Sequence, residues 1–344
     1  MAGPTAARER VERICGSDDD ARTLRLRVLA ELRRTVGFDA YAWVLTDPET
    51  AVGSAPLADV PCLPELPRLI RLRYLSTVSR WTALPDPPVA LLGGATAGDP
   101  WEEFLASYGV VDVATVVFRD AYGCWAFLDL WRIGGRRFGA GEAAALRSVV
   151  PAVTTALRRT QARTFAAEPP PDPVPAPLVL LLGPDLEVLR HTPGTRDALR
   201  LLVPRDDDQP PVPAGAYNVA AQLLALEAGI DEAPPWARVH LAGNRWLTLR
   251  AARLGDDGPR EQRDVAVTVE VSSAAERLGL FARCTALSPR ETELLGLLAA
   301  GADTRDVAAR MFLSAHTVQD HLKSVFGKTG TRSRRALLAR ALGG

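Results

Sequence analysis

Leu287–Leu342 reads LSPRETELLGLLAAGADTRDVAARMFLSAHTVQDHLKSVFGKTGTRSRRALLARAL, and its punctuation divides it into four helices. Ser288 is placed to accept at an N-cap, Pro289 suits a first turn that needs no amide donor, and Glu291 completes a capping box. Leu294, Leu297 and Leu298 form the apolar face, and Gly301 stops the helix. Asp303 caps a second helix with Val307, Ala308 and Met311 inward, and Phe312 and Leu313 fall in the turn that follows. Ser314 caps a third helix running to about Lys328, with Val318, Leu322, Val325 and Phe326 inward and Gly330 at its end. Ser333 caps a fourth, Arg334–Leu342, with Leu337, Leu338 and Ala341 on one side.

Two short helices joined by a tight turn, the second with a polar outer face, form the helix-turn-helix pattern. That face carries Thr317, Gln319, Asp320, His321, Lys323, Ser324 and Lys328. A helix fits the DNA major groove; Gln pairs bidentately with adenine, while Ser, Thr and Lys reach phosphate or base. From 287 to 344 nine Lys or Arg face five Asp or Glu, a net of +4. A modestly basic surface on one small segment is a nucleic-acid footprint.

The segment resembles the LuxR-type helix-turn-helix domain of bacterial transcription regulators. The matching positions are Leu287, Pro289, Arg290, Glu291, Ala300-Gly301, Ala308, Ser314, Thr317-Val318, His321, Val325, Lys328, Gly330, Arg334 and Ala336. The resemblance implies that the third helix docks in the major groove of double-stranded DNA and that the fourth pairs two such domains on an inverted repeat. Thr317, Val318, Gln319 and Lys323 are then expected near bases. Ser314, His321, Lys328 and Arg334 are expected on the backbone, with Leu337, Leu338 and Ala341 in a homodimer contact. His321 has a second reading as a structural residue bonded across the turn. Gln319 and Asp320 stand where the family often has two basic residues, and Thr329 where it has an aliphatic one, which implies a different base preference.

Working outward, 273–286 reads as a linker helix and 167–177 as a Pro-rich linker, since Glu168–Pro177 has Pro at six of ten positions. Between them, 178–272 reads as paired strands (Leu178–Leu182, Leu186–His191), two helices (Thr195–Leu202, Ala216–Ala228) and three strands (Ala237–Leu241, Arg245–Ala252, Asp264–Val271). Residues 18–166 read as a helix ending at Gly37, a strand over Asp39–Thr46, a helix over Pro64–Ser79, a loop over Leu84–Gly98, strands over Val110–Arg119 and Gly123–Ile133, and a helix over Ala140–Thr164 that Pro151 interrupts. The expected fold is therefore multidomain α+β: two antiparallel-sheet segments, then an all-α domain at 287–344. In architecture the first segment is similar to a GAF-type sensor domain and the second to a PAS domain; neither resemblance brings a ligand with it.

Composition excludes other classes. Acids and bases balance at 41 each, and 39 of the bases are Arg; Lys323 and Lys328 are the two Lys. The opening residues lack a secretory apolar core, and no apolar run approaches the ~20 residues of a membrane helix. Cys15, Cys62, Cys124 and Cys284 are too scattered for a disulfide framework or metal cluster, and the first three read better as buried thiols than as redox sensors. His191 and His240 lack ligand-spaced partners, so no metal or cofactor is expected. Gly327-Lys328-Thr329 lacks the glycine and the preceding strand of a phosphate loop. The aromatics Tyr41, Trp43, Trp101, Phe104, Tyr108, Trp125, Phe127 and Trp131 read as core before pocket lining, as do Trp236 and Trp246. With no nucleophile–base pair, an enzyme is not expected. The reading is a cytoplasmic transcription regulator with a small-molecule or partner effector; the alternatives are an enzyme with a DNA-binding tail and a dimerisation scaffold.

Overall fold

The computed structural model describes residues 4–93, 98–168, 178–202, 213–255 and 259–343. The expected linker stretch 169–177, most of the glycine loop 93–98 and the turn at 256–258 lie outside them. The chain begins with α1 (Pro4–Cys15) and α2 (Ala21–Thr35), then β1 (Ala40–Thr46), β2 (Gly53–Asp59), α3 (Leu66–Leu75), β3 (Val89–Leu91), α4 (Pro100–Ser107), β4 (Val110–Asp120), β5 (Gly123–Ile133) and α5 (Ala140–Thr164). There follow β6 (Leu178–Leu182), β7 (Val188–His191), α6 (Thr195–Leu202), α7 (Ala214–Glu227), β8 (Trp236–Ala242), β9 (Arg245–Arg253) and β10 (Val265–Val271). The end is helical: α8 (Ala274–Cys284), α9 (Pro289–Ala299), α10 (Thr304–Met311), α11 (Ala315–Thr329) and α12 (Arg334–Leu342).

The strands form two five-stranded antiparallel sheets, ordered β2-β1-β5-β4-β3 and β7-β6-β10-β9-β8. The chain divides into two compact units, 1–157 with 174–239 and 247–270, and 158–173 with 240–246 and 271–344.

In the first unit β5 is the central strand, paired with β1 and β4, and it is buried on both faces from Trp125 to Arg132, Phe127 and Trp131 included. Trp43, Trp81 and Trp101 are also buried, and Trp81 stacks on Phe127 with ring centroids 4.4 Å apart. Three buried arginine–carboxylate pairs cross this core: Arg73–Asp129 at 3.0 Å, Arg80–Asp231 at 2.6 Å and Arg238–Asp47 at 2.6 Å. The last two join residues more than 140 positions apart, and α7 lies against α3 and β2. The segment after residue 178 thus shares a core with the segment before 166.

Several elements differ from the sequence reading. The helix expected over Pro64–Ser79 is shorter, because Leu63–Glu65 forms a tight turn and Ser76 is extended. The expected loop over Leu84–Gly98 contains the short strand β3. The strand β2 was masked in sequence by Pro56, which an edge strand tolerates because an edge amide needs no partner. The helices α1 and α4 were not anticipated, although Ala7, Val11 and Cys15 recur every four residues and Asp99 caps α4 ahead of Pro100.

Asp47 is fully buried and accepts from both the main chain and the guanidinium of Arg238, so removing it leaves that buried cation with the exposed Glu49 carboxylate, 2.9 Å away, as its remaining acidic partner. Asp47→Ala should destabilise the first unit by about 3–5 kcal/mol, measured as a lowered denaturation midpoint; a change under about 1 kcal/mol would show that the pair contributes little.

Candidate nucleic-acid interface

The second unit builds its helices from local caps. Ser288 accepts from the Glu291 amide at 3.3 Å while Glu291 Oε2 accepts from the Ser288 amide at 2.6 Å. Asp303 and Asp306 make the same reciprocal box on α10. Phe312 ends α10 in the left-handed region (φ 56°), which turns the chain sharply enough for Ser314 to cap α11 two residues later. Ser314 Oγ accepts from the Thr317 amide at 3.1 Å and meets Thr317 Oγ1 at 2.9 Å. Gly330, at φ 63°, closes α11.

On α11, Val318, Leu322 and Val325 are buried, whereas Ala315, His316, Gln319, Asp320 and Lys323 are exposed. Lys323 is 78% exposed and lies 3.8 Å from Asp320, which also has His316 at 3.6 Å. The acidic residue flagged by the sequence therefore sits between two basic ones. Thr317 and His321 are half-buried.

Glu291 is the centre of the domain. Its Oε1 accepts from Ser324 Oγ at 2.6 Å and its Oε2 from Lys328 Nζ at 2.6 Å, so one carboxylate ties α9 to two residues one turn apart on α11. Burial alone would raise its pKa, but Lys328, Ser324 and Ser288 outweigh burial and hold it at about 2. Arg334 donates to Thr304 Oγ1 at 2.6 Å, and Arg340 donates to Thr329 O at 2.7 Å, at the end of α11. Thr329 is buried yet satisfied: its hydroxyl donates to Val325 O at 2.8 Å and meets Thr331 Oγ1 at 2.8 Å. That accounts for a polar residue at an apolar site.

Three of the expected site residues lie inward. Val318 is 0% exposed, because the phase that buries Leu322 buries it too, so it supports the helix and is not free to meet a base. Leu337 and Ala341 are also 0% exposed: α12 packs against α8 and α9, so these side chains are core in this chain, and only Leu338 of the three is partly open. In the sequence Glu291 marks a capping box and a family-matching position; the i,i+4 spacing of Ser324 and Lys328 was the available signal for its second role. Nothing in the sequence marked Phe312 as 93% exposed.

A family model for bacterial regulatory proteins of the luxR family matches residues 285–341. This segment is a luxR-family helix-turn-helix domain. The chain is 39% identical over 84 residues to the probable HTH-type transcriptional regulator GfsR of Streptomyces halstedii, covering 24% of this chain and 35% of that protein. It is 26% identical over 194 residues to the putative HTH-type transcriptional regulator Rv0890c of Mycobacterium tuberculosis, covering 53% of this chain and 21% of that one. The chain thus spans about a third or less of the length of these relatives. Among solved structures, Escherichia coli SdiA aligns over 98% of both chains, with 12% identity and a TM-score of 0.38. No helix among the described residues is long and apolar enough to cross a membrane, and no cluster of three metal-ligating side chains occurs among them.

The Glu291 carboxylate gives the luxR-family domain a defined pH response. A carboxyl group held at about 2 when folded, against about 4.5 when free, contributes stability that is present above pH 4.5 and lost as pH falls toward 2. Chemical denaturation from pH 7 to pH 2 should show this loss, on the order of 3 kcal/mol, and Glu291→Gln should remove most of the slope; an unchanged slope in the variant would place the response elsewhere.

Proposed function

We propose that the chain is a sequence-specific, DNA-binding transcriptional regulator, cytoplasmic and without enzymatic activity of its own, that acts as a homodimer on an inverted repeat. The observation that carries this reading is the division of α11, in a luxR-family domain, into a buried apolar face and an exposed face bearing Gln319 and Lys323. An α-helix presented this way fits the major groove. Gln319, Lys323 and the half-buried Thr317 are the base-proximal side chains. Ser314, His321 and Arg334 meet the sugar-phosphate backbone. Lys328 spends one donor on Glu291 and keeps two for phosphate. Pairing uses the open side of α12, where Leu338 and Leu342 are half-buried one turn apart. Along the chain the proposed organisation is a GAF-like segment at 18–166, a linker at 167–177, a PAS-like segment at 178–272 that shares a core with the first, a linker helix at 273–286 and the DNA-binding domain at 287–344. The first two domains respond to a small molecule and alter the affinity of the last.

The test is fluorescence anisotropy with the full chain and a selected DNA site across a salt series. Lys323→Ala is expected to weaken binding at all sequences and lower the slope of log K against log salt by about 1. Gln319→Ala is expected to relax preference at one base position by about 1–3 kcal/mol. If neither variant changes affinity, preference or slope, α11 is not the reading helix.

A further inference from the structure

The first unit holds a cavity of about 270 Å³. Its walls come from the first sheet (Ala42, Val44, Phe127), from α3 (Leu69, Ile70) and, less expectedly, from α7, which contributes Ala214 and Asn218. The volume lies just below the ~300–1,000 Å³ usual for drug-sized ligands. Arg73 and Asp129 also line it, but they neutralise each other: Asp129 accepts from Arg73 and Thr115, and Arg73 further donates to Val78 O and Ser79 O. Arg73 and Asp129 thus cancel within the interior, and the remaining charged lining residue, Arg22, is solvent-exposed.

Asn218 is the feature that packing does not explain. It is 2% exposed, on a helix whose other buried residues are almost all apolar, and its Nδ2 has no hydrogen-bond partner. Gln222, one turn on, shows what a structural amide does in this helix: its Nε2 donates to Ala233 O at 2.8 Å. Asn218 is seated by Gly53, where a Cβ would fall 2.8 Å from Nδ2, so the absence of a side chain on β2 is what lets the amide lie there. Two further lining residues, Trp101 and Trp131, carry buried indole N–H groups without acceptors. Trp43 has an unmet indole too but does not line the cavity, so an unmet indole alone does not mark a ligand site, whereas the Asn218 amide is both unmet and on the cavity wall. A buried donor left unmet is costly, and every unmet polar group on this lining is a donor.

We propose that the cavity binds a small, uncharged, largely apolar molecule bearing a carbonyl-type acceptor oxygen, and that the Asn218 amide reads that oxygen. This rests on, and deepens, the reading of the first unit as a sensor. Because Asn218 rides on α7, occupancy acts on an element of the second segment from a cavity walled mainly by the first.

Three probes of equal heavy-atom count and similar shape separate the terms: acetophenone, isopropylbenzene and benzoate. Binding to the full chain is read by calorimetry and ligand-observed NMR. Acetophenone is expected to bind and benzoate to be excluded. Asn218→Leu is expected to weaken acetophenone about tenfold and isopropylbenzene less than twofold, with thermal melting confirming the fold. Should that variant melt early, Asn218→Ala, which removes the donors without adding bulk or charge, is expected to give the same selective loss. No binding of either neutral probe to the unmodified chain overturns the cavity proposal. Equal effects on both neutral probes overturn the role of Asn218, and benzoate binding most tightly overturns the uncharged class. These readouts do not involve DNA: a cavity that fails leaves DNA binding untouched, and a cavity that fills without changing DNA affinity sinks the sensor reading alone.

Discussion

One carboxylate organises the DNA-reading end of this chain. Glu291 closes the cap of α9 with one hydrogen bond and fastens α11 with two more, through Ser324 and Lys328. A buried carboxylate is tolerable only when its lone pairs are met, and here three donors meet them. The consequence is geometric. With Val318, Leu322 and Val325 fixed inward, α11 has one rotational setting, and Gln319, Asp320 and Lys323 are among the residues left outside. The same constraint divides the two lysines. Lys328 is bound to the domain's own carboxylate and is 36% exposed, whereas Lys323 stands 78% exposed beside Asp320.

Much of this was legible in the sequence because it is local. Capping residues at 288, 303, 314 and 333 and glycines at 301 and 330 act within a few positions, so helix limits could be read directly. The inward face of α11 was legible by periodicity, which should also have kept Val318 away from the bases. What escaped was non-local. That Leu337 and Ala341 are core depends on α8 and α9 lying against α12, and apolar spacing alone does not tell a core face from a pairing face. Likewise α7 was read correctly as a helix, but nothing in its own residues announced that it packs on α3 and β2.

The first unit follows a different logic. Its first sheet supplies an aromatic core and its second an aliphatic one, while arginine–carboxylate pairs tie together segments far apart in sequence. Such pairs stabilise weakly against an apolar alternative but penalise misassembly, since a single misplaced partner leaves a buried charge. Against these paired charges the unmet amide of Asn218 stands out, and it lies on the wall of a cavity. The pattern fits a unit whose framework is fixed and whose interior is kept for a guest.

The central claim is that the exposed face of α11 reads DNA sequence. Its most direct measurement is selection of genomic fragments by the full-length chain in the presence of excess random DNA, followed by sequencing of what is retained. The account predicts enrichment of one two-fold-symmetric motif, with the enrichment lost when Gln319 and Lys323 are both replaced by Ala. Uniform retention of all fragments, or the same motif recovered by the double variant, would contradict it.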